Sequence, residues 1–194
     1  MTKLLHKDLQ VYSFKTQDEF YDWLSKNYQN DVSFWLRLYK KHTSVTSVSY
    51  SDAVDVALCW GWIDGLTNRY DDESYVIRFT PRRKKSVWSK VNVEKVARLQ
   101  AEGKMQPSGL ACVTAAQADG RWDAAYAGQA TIQLPREFIK LLKSDKDVWL
   151  FYESLNKANK YAIAYRLATV VGENQKQTKM QKLFEMLQQK KTFH

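Results

Sequence analysis

The chain has 194 residues, of which 44% are hydrophobic and 26% charged, the composition of an ordinary soluble globular protein that needs no metal or disulfide to fold. Thirty basic residues against 21 acidic ones give a formal net charge of +9, which permits an anionic partner but requires none. Because the sequence shows no signal-peptide pattern and no membrane-length apolar run, we expect a cytoplasmic protein without a membrane span.

The first elements alternate between strand and helix patterns. Residues 9–14 ("LQVYSF") predict a short strand, and Thr16 with Glu19 forms a capping box that starts a helix ending near Tyr28. Residues 33–41 carry bulky side chains on both faces, which predicts a strand inside a sheet or under a helix.

A buried helix and a strong strand follow. Ser49 or Ser51 caps a helix that is apolar on most sides, and Gly61 and Gly65 bracket its end. Residues 68–73 are expected to form a turn. Residues 74–81 alternate Tyr, Ile and Phe on one face, which predicts a strand that Pro81 ends.

From residue 89 onward the pattern is helical, apart from an irregular segment at 121–135. The predicted helices span residues 92–103, 107–120, 136–144, 147–155, 157–171 and 175–191. We therefore predict an α+β protein, with a small antiparallel sheet packed with helices in the N-terminal half and an all-helical C-terminal half. The predicted division is an α+β domain at 1–127 and a helical module at 128–194, packed on it or continuous with it.

Standard catalytic and cofactor motifs are absent from the sequence. Cys59 and Cys112 lie in apolar helical contexts, which indicates buried free thiols and favours a reducing compartment. The three histidines, His6, His42 and His194, are scattered, so we predict no metal site. We also predict no cofactor and no catalytic residue.

Residues 61–92 concentrate charges and tryptophans. Asp64, Asp71, Asp72 and Glu73 are suited to a divalent cation or an acid/base pair. Alternatively, Asp64 caps the buried helix or pairs with an arginine, while Asp71 and Asp72 form a turn.

A basic group follows the acidic one. Arginines bind carboxylates or phosphates, Trp88 offers a stacking face, and a helix start near Ser89 would add free N–H groups. In the alternative interpretation Arg78 pairs internally with Asp64 or Asp72, and Trp88 belongs to the core. The candidate ligand-binding residues are Trp62, Asp64, Asp72, Arg78, Arg82, Arg83, Ser86, Trp88, Ser89 and Asn92.

Two tryptophans, Trp60 and Trp62, flank Gly61. Bulky rings on both sides of a glycine favour close backbone packing at a helix end over stacking on a cofactor. Likewise, the lysines of the last predicted helix are interpreted as a solvated face rather than a surface for acidic polymers.

The motifs "GWIDG" at 61–65, "RFTPRR" at 78–83 and "SVWSKVN" at 86–92, together with "FYESLNKANKYAIAYRLATV" at 151–170, resemble the bacterial YdeI/OmpD-associated family, also labelled bacteriocin-protection proteins. The resemblance implies a small α+β domain and assigns no activity. Our leading hypothesis is a non-enzymatic stress or bacteriocin-protection protein that binds an anionic ligand or acidic partner. One alternative is an enzyme using Asp64 and Asp72 with Arg82 as an anion clamp. The other is a nucleic-acid-binding protein using residues 78–95.

Overall fold

The computed structural model describes residues 5–7, 9–30, 32–128, 131–170 and 172–193. The chain divides into two compact units. The sheet unit comprises Met1–Ser86 and Asn92–Trp122, and the helical unit comprises Val87–Val91 and Asp123–His194. Whether the chain has two domains, divided at residue 128 as predicted, stays a prediction.

In the part of the chain that the structure describes, the sheet has five strands in the order β1-β2-β3-β5-β4. Their bounds are Leu5–His6 (β1), Leu9–Tyr12 (β2), Phe34–Tyr39 (β3), Trp62–Arg69 (β4) and Ser74–Pro81 (β5). The α+β class is confirmed, but the sheet is mixed rather than antiparallel throughout, because β2 and β3 run parallel. Parallel neighbours need a crossover connection, and helix α1 (Gln17–Asn27) lies between them in the chain.

Alternation along the central strands gives the sheet two different faces. Phe34 opposes Phe79, and Leu36 opposes Ile77, on the face that forms a core with α1 and with α2 (Tyr50–Cys59). Trp35 opposes Arg78 on the other face, where a smaller cluster forms with Val11 and Val76. Both faces of β3 are therefore packed, as its bulky side chains predict.

The caps of the first two helices use the predicted hydroxyls, but the Glu19 carboxylate accepts from the residue before the cap instead of from Thr16. The Thr16 hydroxyl accepts from the Glu19 backbone N–H at 3.2 Å, and the Glu19 carboxylate accepts from the Lys15 N–H at 2.7 Å. The Ser49 hydroxyl accepts from the Asp52 N–H at 3.2 Å, which selects Ser49 over Ser51 as the cap of α2.

Strand β4 differs from the prediction, which placed only a helix end and a turn here. Most of its side chains are exposed or half-buried, and its register with β5 shifts between Asp64 and Thr67. An exposed strand with a bulge lacks the alternating hydrophobicity that reveals strands in sequence. Pairing with β5, rather than local preference, makes this segment extended.

Two further helices complete the sheet unit. They are α3 (Lys90–Ala101), whose first two residues belong to the helical unit, and α4 (Pro107–Ala118). Gly103 follows α3 and Gly120 follows α4, and both glycines have the positive φ that the predicted helix ends require. Gly109 of α4 lies so close to α2 that a Cβ added there would be 2.2 Å from the Cys59 carbonyl oxygen. A side chain at 109 would therefore separate the two helices.

The helical unit contains α5 (Arg136–Lys143), α6 (Lys146–Ser154), α7 (Lys157–Ala168) and α8 (Glu173–Gln188). Its core includes the predicted stripe of α8, namely Met180, Leu183, Phe184 and Leu187. Among the described residues, no helix is both long enough and apolar enough to cross a bilayer.

Candidate functional site

The turn between β4 and β5 is organised by Asp71. Its carboxylate accepts from the backbone N–H groups of Glu73 and Ser74, at 3.0 and 2.7 Å, and from the Ser74 hydroxyl at 2.6 Å. Arg37 Nη2 lies 2.6 Å from its second oxygen. These contacts, led by the Ser74 hydroxyl, hold the pKa of Asp71 below its ordinary value. Asp71 thus has the turn-forming role that the sequence predicts.

Arg37 is a structural arginine that the sequence analysis did not single out. Besides its pair with Asp71, its Nε donates to the Ser74 hydroxyl at 2.9 Å. Its guanidinium lies over the rings of Tyr39 and Tyr70, 4.6 and 4.7 Å from the centroids. All of these contacts lie on one end of the sheet, so Arg37 ties β3 to the β4–β5 turn.

The two candidate acid/base residues, Asp64 and Asp72, lie at different places on the β4–β5 hairpin. Asp64 opposes Phe79 and accepts from the Tyr50 hydroxyl at 2.7 Å, whereas Asp72 lies in the turn and pairs with Arg69. The strand rise alone separates the two positions by about 13 Å or more. The Asp64 and Asp72 carboxylates therefore do not meet in one pocket, as the enzyme hypothesis requires. Among the described residues, no group of three His, Cys, Asp or Glu side chains is placed to hold a metal ion.

Arg78 forms no ion pair with Asp64 or Asp72, so the alternative interpretation of this arginine is wrong. It lies opposite Trp35, on the face of the sheet away from α1 and α2, while Asp64 opposes Phe79 on the helix face. Its Nη2 donates to the Ser33 hydroxyl at 3.2 Å, and its buried Nε has no hydrogen-bond partner in the described part of the chain. Successive side chains of a strand point to opposite faces, which keeps Arg78 away from Asp64.

Trp62 is a core residue at the start of β4. Its ring is 2% exposed and lies 5.5 Å from the ring of Phe34, and its Nε1 donates to the Tyr28 carbonyl at 3.2 Å. The preceding Gly61 has φ +76°, and a Cβ there would lie 2.9 Å from the Ser108 carbonyl oxygen. The predicted close backbone packing is confirmed.

Residues 82–85, which we call the basic segment, leave the end of β5. The backbone N–H of Arg82 donates to the Gly61 carbonyl at 2.9 Å, and that of Arg83 donates to the Ser86 hydroxyl at 3.1 Å. The carbonyl of Ser86 accepts from Arg121 at 2.8 Å. The backbone of the segment is therefore held at both ends.

Three side chains of the basic segment are directed to solvent. Arg83, Lys84 and Lys85 are exposed, and no described carboxylate forms an ion pair with any of them. By contrast, basic side chains elsewhere in the sheet unit form ion pairs with N–O distances of 3.0 Å or less. The charges of Arg83, Lys84 and Lys85 are thus not neutralised by an ion pair with a described acid.

The remaining candidates lie around the start of α3. Trp88 is 2% exposed, as its core interpretation predicts, and its carbonyl accepts from the Tyr126 N–H at 3.0 Å. The N–H of Lys90 donates to the Tyr126 carbonyl at 2.9 Å, so this donor of the helix start is already used. Ser89 bridges to Tyr126, and Asn92 is half-buried in the first turn of α3. Their role in ligand binding stays a prediction.

Two family models match the chain. Residues 12–112, just over half of the chain, match the model described as Domain of unknown function (DUF8412). The chain belongs to this family. Residues 131–190 match the model described as Bacteriocin-protection, YdeI or OmpD-Associated, which confirms the predicted resemblance for the helical unit. No curated protein and no solved structure gives a significant match.

The DUF8412 region holds a buried ionic cluster that the sequence analysis missed. The Asp55 side chain, on α2, is only 8% exposed and pairs with Lys95 Nζ at 2.6 Å and with Arg98, both on α3. Lys95 also donates to the Ser51 hydroxyl at 2.9 Å. The sequence feature that could have revealed the cluster is an aspartate among the apolar residues of α2. A carboxylate buried in such a helix requires a cationic partner.

Both cysteines of the DUF8412 region are free thiols. Cys59 is buried, and burial, reinforced by the Asp55 charge, raises its pKa to about 11. Cys112 is half-buried, and burial raises its pKa as well. Both thiols therefore stay protonated near neutral pH, which is typical of structural rather than nucleophilic cysteines.

Proposed function

We propose that this YdeI/OmpD-associated protein acts in the cytoplasm as a non-enzymatic protein of stress or bacteriocin protection, by binding an anionic ligand or acidic partner through the basic segment. The observation that carries the proposal is the exposure of Arg83, Lys84 and Lys85 without an ion pair to any described carboxylate. The description of the family matched at 131–190 supports the protective role.

The backbone geometry supports binding of an anion here. The segment is fixed by hydrogen bonds from Arg82 to Gly61 and from Arg121 to Ser86, so its side chains project from an ordered backbone. Ordering a loop in advance lowers the entropy cost of binding. An arginine beside two lysines offers bidentate hydrogen bonds and added positive charge to a phosphate or carboxylate.

The placement of the other candidates favours binding over the two alternatives. Asp64 and Asp72 are held by Tyr50 and Arg69 at separate points of the hairpin, which argues against a shared acid/base pocket. Trp88, the ring that the nucleic-acid hypothesis needs for stacking on bases, is 2% exposed.

Isothermal titration calorimetry with pyrophosphate and with a poly-glutamate peptide tests the proposal on the full chain. We expect Arg83→Ala/Lys84→Ala/Lys85→Ala to weaken binding of the preferred probe about tenfold or more, since charged hydrogen bonds contribute about 1.5–3 kcal/mol each. The control, Lys146→Ala/Lys182→Ala/Lys191→Ala, removes the same charge from exposed positions of the helical unit.

Three outcomes would overturn this assignment. The first is no binding of either probe by the wild-type chain. The second is an equal loss of affinity in both triple variants, which would indicate a response to net charge alone. The third is tighter binding of a single-stranded oligonucleotide than of either probe, with the steep salt dependence of phosphate-backbone contacts. Survival of bacteriocin-treated cells expressing wild-type or triple-variant protein tests the protective role.

A further inference from the structure

The helical unit contains a cavity of about 550 Å³. Helix α6 contributes Tyr152 to its lining, and the segment before α5 contributes Ile132 and Leu134. Helix α7 contributes Lys157, Lys160, Tyr161 and Ala164, whose spacing of three, four and seven residues places them on one helical face. The volume lies within the range typical of small-molecule sites.

The cavity combines an apolar wall with two phenol groups. Ile132, Leu134 and Ala164 form the wall, and the Tyr152 ring belongs to the hydrophobic core of the unit. Tyr152 is only 9% exposed, and Tyr161 supplies the second phenol group of the lining. A phenol hydroxyl beside an apolar wall can donate a hydrogen bond to an acceptor on the polar end of a ligand.

The same phenols remain hydrogen-bond donors at neutral pH. Burial is the main cause that raises the pKa of Tyr152 above its ordinary value, and the Glu153 charge adds to it. Burial likewise raises the pKa of Tyr161, with a contribution from Tyr165. A protonated phenol can donate its O–H to an anionic or carbonyl oxygen.

Two lysines make the lining positive. Lys160 Nζ donates to the Glu153 carbonyl at 2.8 Å and lies 5.5 Å from the centroid of the Tyr152 ring, which fixes the amine beside the phenol. An ammonium group has three donors, so two remain for a ligand. No carboxylate lies among the described lining residues, and no ion pair joins two described residues of the helical unit.

We propose that this cavity binds a small amphipathic anion, with an apolar body against Ile132, Leu134 and Ala164 and a carboxylate bound by Lys157, Lys160 and the phenol hydroxyls. This second site does not rest on the function proposed for the basic segment, because the two sets of residues belong to different units.

Calorimetry with three ten-carbon probes, each below its micellar concentration, tests the class of ligand. Decanoate carries the anionic head group, decanol removes the charge, and decylammonium reverses it. We expect one decanoate per chain, bound at least about tenfold more tightly than decanol, since charged hydrogen bonds exceed neutral ones by this order. Decylammonium should bind more weakly than decanol.

Variants locate the site. Lys160→Met and, separately, Lys157→Met should lower decanoate affinity toward that of decanol and leave decanol affinity unchanged. Tyr152→Phe should weaken decanoate severalfold while retaining the ring. The matched control is Lys182→Met, an exposed position on α8 with the same change of charge and volume. Thermal denaturation by circular dichroism verifies that each variant is folded.

Several results would overturn the proposal. They are absence of decanoate binding, equal affinities for decanoate and decanol, binding of many decanoates per chain, or equal losses in the Lys157, Lys160 and Lys182 variants. Because Arg83→Ala/Lys84→Ala/Lys85→Ala lies outside the cavity, it should retain decanoate binding. A loss in that triple variant would assign the binding to the basic segment instead.

Discussion

The sheet unit has 17 basic and 14 acidic residues, and seven ion pairs join residues of it that the structure describes. The helical unit has 13 basic and 7 acidic residues, a net charge of +6, and no ion pair between its described residues. The excess positive charge of the chain is therefore concentrated where internal acids do not neutralise it. A net charge of +9, taken for the whole chain, conceals this difference.

The two units also place their cations differently. In the sheet unit Arg37 reaches Asp71 and Lys95 reaches Asp55, residues far apart in sequence, so these charges join elements of the fold. In the helical unit Lys143 lies 4.9 Å from the centroid of the Trp149 ring, and Arg166 lies 3.7 Å from that of Phe193. Cation–π contacts leave the cation its charge and most of its donors for a ligand.

The largest effect is expected at the buried ionic cluster. Asp55→Ala should lower the free energy of unfolding by about 3 kcal/mol, because it leaves Lys95 and Arg98 without the carboxylate that balances them. Urea unfolding followed by circular dichroism measures the change. Glu153→Ala, an exposed acid of the helical unit, is the control and should change stability by less than about 0.5 kcal/mol. Equal effects of both substitutions would refute the contrast between the units.

The next effect concerns backbone packing rather than charge. Gly109→Ala should cost about 2–3 kcal/mol, because the new methyl group would meet the Cys59 carbonyl of α2 at 2.2 Å. The matched control is Gly128→Ala in the helical unit, where the nearest atom, a methyl of Val91, lies 3.8 Å away. Thermal unfolding that shows no difference between the two variants would contradict the close α2–α4 contact.

A smaller effect should appear on acidification. The pKa values of Asp71, Glu102 and Asp119, all in the sheet unit, lie below their ordinary values of 3.8 and 4.5. Their contribution to stability is therefore complete above those values and is lost as the pH falls through the lowered pKa values. Urea unfolding between pH 6 and pH 3 should show a shallower fall for Asp71→Asn than for wild type. An unchanged slope would mean that the Asp71 contacts do not persist in solution.

The smallest effect is expected from the unpaired lysines. Lys146→Ala/Lys182→Ala/Lys191→Ala should change the free energy of unfolding by less than about 0.5 kcal/mol, since no ion pair is broken. At low salt the variant should be equal to or slightly more stable than wild type, because repulsion falls. A clear loss of stability would show that these lysines have structural partners.

Much of the fold was predictable because local patterns encode it. Several correctly predicted features depend only on residues close in sequence. They are the apolar stripe of α8, the Ser49 and Thr16 caps, and the glycines that follow α3 and α4. Strand β5 was predicted with the bounds that the structure has, since its alternation is strong. Strand β4 was missed because its extended form depends on pairing with β5.

The candidate site was predicted less completely than the fold. The sequence correctly indicated that Trp88 is buried and that Gly61 lies in close packing. The alternative interpretation paired Arg78 with the wrong partners, because proximity in sequence does not reveal which face of a sheet a side chain occupies. The cavity of α6 and α7 was not predicted, since its lining combines residues from separate segments.

By itself the sequence determined the α+β class, most helix bounds, the family resemblance and the excess of positive charge, because each depends on composition or on contacts between near neighbours. The tertiary structure alone decided which charges are neutralised. Asp55 of α2 pairs with two cations of α3, and Arg37 pairs with Asp71. Among the described residues, no acid forms an ion pair with Arg83, Lys84 or Lys85, or with the cavity lysines Lys157 and Lys160. Ion pairing depends on distances of a few ångström between residues distant in sequence, and only folding sets those distances.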